Sequence, residues 1–290
     1  MNTAVQGDAR TWGWESAYPA PAKLNLFLHV IGRRPDGYHL LQTLFRFLDH
    51  GDTLRFSPRS DGAVRLLTPL PGVAPESDLT VRAARCLQER AAHRVGVDIY
   101  LEKKLPLGGG LGGGSSDAAT VLLALNHLWH LELPRPELQE IALTLGADVP
   151  VFVFGRNAFA EGIGETLHAV DLPSTWYLVL EPPLQVPTAT IFGAPELKRD
   201  SLPISVRQWR PGFGGNDLEA VAVSRFPMIA AHLACLKTSA PARMSGSGAC
   251  VFAEFPQREQ ADEALRQLPR GMRGWIAAGL SEHPLLALAS

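Results

Sequence analysis

The stretch Pro106-Leu107-Gly108-Gly109-Gly110-Leu111-Gly112-Gly113-Gly114-Ser115-Ser116-Asp117, followed at once by an apolar run over residues 118–129, decides how the rest of this 290-residue chain is read. Six of the seven residues from Gly108 to Gly114 are glycine. Such a run loses much backbone entropy on folding and leaves N–H groups that no side chain shields. A flexible Gly-Ser linker is not normally inserted between a strand and an amphipathic helix. The run over 118–129 reads as a helix, with a serine or Asp117 as its start signal. Free N–H donors at the positive end of a helix dipole make an anion cradle. Phosphate binding is therefore the expectation for residues 106–116.

The kind of phosphate site can be narrowed. A Walker A loop needs Gly-Lys-Ser/Thr entering the helix, and here Ser115 follows Gly114 with no lysine. Gly108, Gly110 and Gly113 satisfy G-x-G-x-x-G, but a run of glycines does so by accident. A dinucleotide site also wants a strand ending in an acidic residue about 20 positions on. Glu132 has no strand around it, so a nicotinamide-dependent oxidoreductase is the weaker alternative. No H-R-D or D-F-G segment is present, which excludes a protein kinase.

Upstream, residues 23–30 alternate: Leu24, Leu26, Leu28 and Val30 on one side, Asn25, Phe27 and His29 on the other. That period predicts a half-buried strand. Residues 32–37 are turn chemistry, residues 53–56, 64–67 and 97–101 read as strands, and 80–92 as a helix. Downstream, helices are expected at 136–145, within 216–237 and at 257–268, and strands at 176–180 and 249–255. No fixed-period repeat is present. The order suggests α+β architecture in two lobes, residues 1–170 and 171–290, with the boundary near residue 170.

Composition limits the function classes. With 27 Lys+Arg against 29 Asp+Glu the formal net charge is −2, which lacks the basic footprint of a general nucleic-acid binder. At 46% hydrophobic residues the chain is globular, not disordered. Its three cysteines, Cys86, Cys235 and Cys250, form no CxxC pair, so neither a disulfide framework nor a zinc site is expected. No run reaches 18 apolar residues, and the N-terminus has no apolar signal region. A soluble cytoplasmic enzyme or binder is the expectation, without nucleic acid or membrane as partner.

Several residues admit a plain reading beside a chemical one. Lys23 could be a solvated edge lysine, and Asp148, in Gly146-Ala147-Asp148-Val149-Pro150, an N-cap. Ser245-Gly246-Ser247-Gly248 alone is more often a tight turn than a site. His127 and His130 have metal-like spacing but no third ligand nearby. Tyr38 and Phe192 could simply pack the lobes together.

Taken in chain order, the segments resemble the GHMP kinase superfamily. They are Pro21-Ala22-Lys23-Leu24-Asn25, Arg34-Pro35-Asp36-Gly37-Tyr38-His39, the glycine loop with Ser115-Ser116, Gly146-Ala147-Asp148-Val149-Pro150, Phe159-Ala160-Glu161-Gly162 and the glycine turn within 244–255. They extend over most of residues 21–255. The resemblance implies a two-lobed GHMP kinase fold, with a ribosomal-protein-S5-like N-terminal lobe, a ferredoxin-like C-terminal lobe and a cleft between them. It implies an ATP-dependent kinase, and the Tyr38-His39 segment is similar to the branch whose acceptor is a hydroxyl of cytidine-diphosphate-linked methylerythritol, in non-mevalonate isoprenoid synthesis. Another small-molecule kinase of the superfamily, or a non-catalytic nucleotide binder, is the alternative.

By the same resemblance, ATP lies with its phosphates on Pro106, Leu107, Gly108, Gly109, Gly110, Leu111, Gly112, Gly113, Gly114, Ser115 and Ser116, with Lys103 in the nucleotide pocket. Asp148 is then the catalytic base and Lys23 its cationic partner. Tyr38, His39 and Phe192 surround the cytidine, with Asn25 in hydrogen-bonding reach. Mg²⁺ is expected to bridge the ATP phosphates with few protein ligands, Ser116 being the one suggested. The types fit phosphoryl transfer, which needs positioning and charge neutralisation more than covalent chemistry. Two departures stand out: a lead-in of about a dozen residues, and Asp78 where an adenine-reading Asn is expected.

Overall fold

The computed structural model describes residues 12–290; the N-terminal lead-in falls mostly on residues 1–11 and to that extent lies outside the described residues. Strands β1 (Tyr18–Arg33) and β2 (His39–Arg59) form one long antiparallel ribbon, paired from Arg33 opposite His39 to Tyr18 opposite Leu54. Strand β2 then recruits β4 (Gly96–Glu102) along its second half and β5 (Ala158–Glu161) along its first. With β3 (Val64–Leu66) and β6 (Thr166–Ala169) at the edges, this makes a six-stranded sheet.

The alternation over 23–30 predicted one wet face, and the structure buries both. Lys23, Asn25 and Phe27 are as fully buried as Leu24 and Leu26. Register shifts between Pro21 and Lys23, Asn25 and Leu28, and Val30 and Gly32 interrupt the strict pleat. The second lobe covers the remaining face: Leu24, Leu26, Phe27 and Leu44 share a core with Tyr177, Val179 and Phe252.

Helices α1 (Leu79–Gln88) and α2 (Gly113–Leu128) pack on the first sheet, and α3 (Arg135–Leu145) and α4 (Val149–Phe154) pack against α2. Helix α2 lies at their centre and is buried on every side from Ser116 to Asn126, which is why its apolar run shows no polar stripe. Leu122, Leu125, Phe47, Phe56 and Phe152 fill this core. Asp78 is the N-cap of α1 and accepts the N–H groups of Thr80 (2.8 Å) and Val81 (3.4 Å). One oxygen of its carboxylate, Oδ1, thereby serves helix capping.

The second sheet has the order β10-β7-β9-β8, with β7 (Trp176–Leu180), β8 (Ala242–Met244), β9 (Val251–Phe255) and β10 (Gly274–Ala278) all antiparallel. Helix α5 (Thr188–Phe192) follows β7, then α6 (Glu219–Arg225) and α7 (Pro227–Leu236), and α8 (Arg258–Arg266) joins β9 to β10. Counting α5, α6 and α7 as one crossover gives the split βαββαβ arrangement. Pro227, which has no N–H, divides the helical region expected over 216–237 into those two pieces. Among the described residues no single helix is long and apolar enough to cross a membrane. The chain end returns to the first lobe, where Leu285 and Leu288 join its core.

Candidate active site

A cleft of about 880 Å³ opens between the lobes. Small-molecule sites span about 300–1,000 Å³. Pro106, Leu107, Gly108, Gly109, Gly110, Leu111, Gly112, Gly113, Gly114 and Ser115 line it, together with Lys103, Lys23, Asn25, Asp148, Tyr38, His39 and Phe192. Only Ser116, of the residues expected to form the site, does not line it.

Three contacts hold the glycine loop. The Lys23 N–H donates to the Leu111 carbonyl (2.9 Å), the Cys250 N–H to Gly109 (3.1 Å) and the Ser245 hydroxyl to Gly110 (2.9 Å). Two glycines are fixed by close approach. A Cβ on Gly110 would lie 2.1 Å from the Ser245 carbonyl oxygen, and one on Gly112 would lie 3.0 Å from the Lys23 side chain. Both have left-handed φ, +74° and +72°.

Helix α2 starts inside the glycines rather than at the serines or Asp117. Gly112 is its N-cap and offers no side chain, so the first-turn N–H groups of Gly113, Gly114 and Ser115 carry no side-chain cap. Uncapped N–H groups at a dipole's positive end, on the wall of a cleft, suit an anion. Ser116 is committed elsewhere: wholly buried, it donates its hydroxyl to the Pro21 carbonyl (2.7 Å) and its N–H to Gly112 (2.8 Å). The α2 helix leads to α3 and not to a parallel strand, so no dinucleotide-binding unit is present around it.

Lys103 is held from behind by two buried aspartates. Its Nζ donates to Asp117 Oδ2 (2.8 Å) and to Asp52 Oδ2. The other oxygen of Asp52 accepts the N–H groups of Lys104 (2.6 Å) and Leu105 (2.8 Å). One carboxylate thereby pins the Lys103 side chain and the backbone that feeds the loop. Burial opposes charge on Lys103, but Asp117 and Asp52 outweigh it and hold its pKa above the usual lysine range. Burial pushes the Asp117 carboxyl up to about 8, with Asp52 adding and Lys103 opposing. Asp52 carries no sequence signal of its own, because its partners lie about fifty residues away.

The plain readings of Lys23 and Asp148 are both excluded. The Lys23 side chain is 3% exposed, with Nζ 3.2 Å from Asp148 Oδ2 and 2.6 Å from Asn25 Oδ1. Asp148 precedes α4 in αR backbone geometry but makes no cap bond, and its side chain is 40% exposed. Asn25 belongs with this pair. Its amide bonds to Lys23 and to Thr43 Oγ1 (2.9 Å), and its N–H donates to Ser245 Oγ (3.2 Å). Each end of the amide thus has one partner, which leaves a second N–H on Nδ2 and a second lone pair on Oδ1 at the cleft wall.

At the other end of the cleft, Tyr38 is 59% exposed and packs no lobe against the other. Phe192, at the end of α5, lies partly on the second-lobe core, and its ring is 5.0 Å from that of His39 at an interplanar angle of 40°. Thr188, Gly246 and Ser247 share this cleft, with Thr188 Oγ1 2.9 Å from Ser247 Oγ. The glycine turn at 245–248 was the only sequence feature pointing to them. His127 Nε2 lies 2.9 Å from the Trp12 carbonyl oxygen, and no cluster of three ligating side chains exists among the described residues.

Two lobes enclosing an uncapped glycine-loop helix and a Lys–Asp pair at the cleft wall define a GHMP kinase, and the chain matches the GHMP kinases N terminal domain over residues 78–156 and the GHMP kinases C terminal family over residues 204–274. A 4-diphosphocytidyl-2-C-methyl-D-erythritol kinase from Dechloromonas aromatica is 65% identical, covering 94% of this chain and 100% of that protein. One from Thiobacillus denitrificans is 58% identical, covering 93% and 97%. A crystal structure of 4-(cytidine 5′-diphospho)-2C-methyl-D-erythritol kinase superposes with a TM-score of 0.79 at 36% identity, covering 91% of this chain and 99% of that one. Homoserine kinase from Cytophaga hutchinsonii, at 17% identity and a TM-score of 0.67, shares the fold. The chain belongs to the 4-diphosphocytidyl-2-C-methyl-D-erythritol kinase family.

Proposed function

We propose a division of labour within the cleft for the reaction of this family, ATP-dependent phosphorylation of a hydroxyl of 4-diphosphocytidyl-2-C-methyl-D-erythritol in isoprenoid precursor synthesis. The observation that carries it is the Lys23–Asp148 pair, facing the same cleft as the uncapped start of α2. The loop N–H groups and the α2 dipole take the ATP phosphates. Lys103, braced by Asp52 and Asp117, adds a fixed positive charge at that end. Asp148 accepts the proton of the attacking hydroxyl, a contribution of about 10²–10⁴ in rate. Lys23 orients that carboxylate and offsets the negative charge that develops on the transferring group.

Tyr38, His39 and Phe192 form the acceptor end, where aromatic faces suit a flat pyrimidine. In this reading both lobes build both ends: the turn at 245–248 braces the loop, and Phe192 faces residues of β2. Mg²⁺ fits the donor set. Among the described residues no cluster of three ligating side chains forms a cage, and Ser115 and Asp148 are among the oxygen-bearing side chains that line the cleft, which suits a cation carried mainly by phosphates and water. Bound there, it would neutralise phosphate charge. Three free cysteines fit a reducing, cytoplasmic setting.

A phosphoryl-transfer assay with ATP against 4-diphosphocytidyl-2-C-methyl-D-erythritol, mevalonate and homoserine tests this. Transfer to the cytidylyl substrate alone is expected. Equal transfer to mevalonate or homoserine would remove the acceptor assignment.

A further inference from the structure

Arg199, in the loop after α5, uses its guanidinium as a junction between the lobes. Nη1 donates to the Leu197 carbonyl (2.9 Å), and Nη2 to the carbonyls of Phe192 (3.1 Å) and Ala194 (2.7 Å). Nε donates to His39 Nε2 at 3.1 Å, across 160 positions of sequence. Arg199 itself does not line the cleft, whereas His39 and Phe192 both do.

We propose that Arg199 is the positioning residue of the acceptor end: anchored on the second-lobe carbonyls, it holds the His39 ring beside Phe192 and fixes it as the neutral Nδ1–H tautomer. The inference rests on the acceptor reading given above. A guanidinium has donors only, so the ring nitrogen it meets must accept, and the proton of the neutral ring then sits on Nδ1. Burial lowers the His39 pKa, and the charges of Arg199 and Arg33 lower it further, so the ring stays neutral. The Phe192 ring is tied to the same guanidinium through its own carbonyl. A base entering this end meets two rings whose planes are already set, with Nδ1–H as the imidazole's one donor. A pyrimidine with a ring nitrogen and a carbonyl on its edge has acceptors to match. Setting the rings beforehand removes an ordering cost that binding would otherwise carry.

The test begins on the wild-type full-length protein without ligand. Long-range ¹H–¹⁵N correlation spectra, with His39 assigned through His39→Gln, should show the proton on Nδ1; a proton on Nε2 overturns the proposal. Calorimetry with cytidine 5′-diphosphate on Arg199→Lys and Arg199→Met should show affinity down by about tenfold or more, the scale of a lost charge-assisted bond. A non-hydrolysable ATP analogue should bind both variants within about twofold of wild type, which general misfolding would not allow. Cytidine 5′-diphosphate binding unchanged in Arg199→Lys overturns the proposal, whatever Arg199→Met does. Tyr38→Ala and Phe192→Ala separate the two levels. If they weaken cytidine 5′-diphosphate and Arg199→Lys does not, the Arg199 inference alone falls; if neither weakens it, the acceptor reading falls and takes the inference with it.

Discussion

Ser245 Oγ lies 2.9 Å from the Gly110 carbonyl and accepts the Asn25 N–H at 3.2 Å. One hydroxyl on the second lobe thus holds the glycine loop and the strand that carries Lys23. Ser245→Ala leaves a carbonyl and an N–H unpaired, at about 1–3 kcal/mol. We expect a melting temperature lower by several degrees and a KM for ATP raised several-fold. Melting curves and ATP titrations check this, and an unmoved KM for ATP would show that the loop does not need the clamp.

The buried Lys103–Asp117–Asp52 cluster has two carboxylates for one ammonium. Burial raises the Asp117 pKa to about 8, above its ordinary 3.8. Between those values the folded state holds a proton that the unfolded state has released, so this group's contribution to stability declines as pH rises from about 4 to 8. Asp117→Asn keeps the shape without that titration. Denaturant unfolding should show the variant gaining on wild type with rising pH and levelling off above pH 8. A pH-independent difference would contradict the shifted carboxyl.

His283 gives the opposite slope. Its ring is edge-on to Phe47 at 5.6 Å, and Nδ1 accepts the Leu285 N–H at 3.1 Å. Burial, with Arg135 adding, pushes its pKa down to about 3. Below about pH 6.5 the unfolded chain takes up a proton that the folded chain refuses, so stability falls as pH falls towards 3. His283→Leu should be less stable than wild type at pH 7.5 because Leu285 loses its acceptor, and that gap should narrow on acidification. Urea curves from pH 7.5 to 4.5 measure it. A constant gap rules out a neutral buried ring.

Tyr38 and Phe192 differ in burial, which separates their variants. Each stacked face is worth about 1–3 kcal/mol to a bound base. Tyr38→Ala should raise KM for the cytidylyl substrate at unchanged melting temperature, because the ring is mostly exposed. Phe192→Ala should raise the same KM and also lower the melting temperature, since Phe192 lies partly on the second-lobe core. In both, KM for ATP should hold. A matching rise in KM for ATP would return these rings to a packing role.

Much of this arrangement is legible in the sequence, and the losses have physical causes. The strands at 97–101 and 176–180 and the helix at 136–145 agree closely with the structure, because breakers coincide with real ends. Strand β2 shows only its second half, residues 53–56, since residues 42–48 are buried on both faces and carry no alternation. The start of α2 is misplaced because serines and an aspartate normally mark helix starts, whereas here a bare glycine end leaves room for an anion. Lys23, Asp148 and the glycine loop are recognisable from motif order. Asp52 and Arg199 are not, because their partners are tens to hundreds of positions away and only the fold brings them together.

The most direct test of the account is single-turnover phosphoryl transfer by Asp148→Asn. Asparagine keeps the side chain's shape beside Lys23 but cannot take the hydroxyl proton. The account predicts a transfer rate lower by about 10²–10⁴. Affinities for the ATP analogue and cytidine 5′-diphosphate should stay within about twofold, and the melting temperature close to wild type. Near-wild-type transfer by well-folded Asp148→Asn would contradict it.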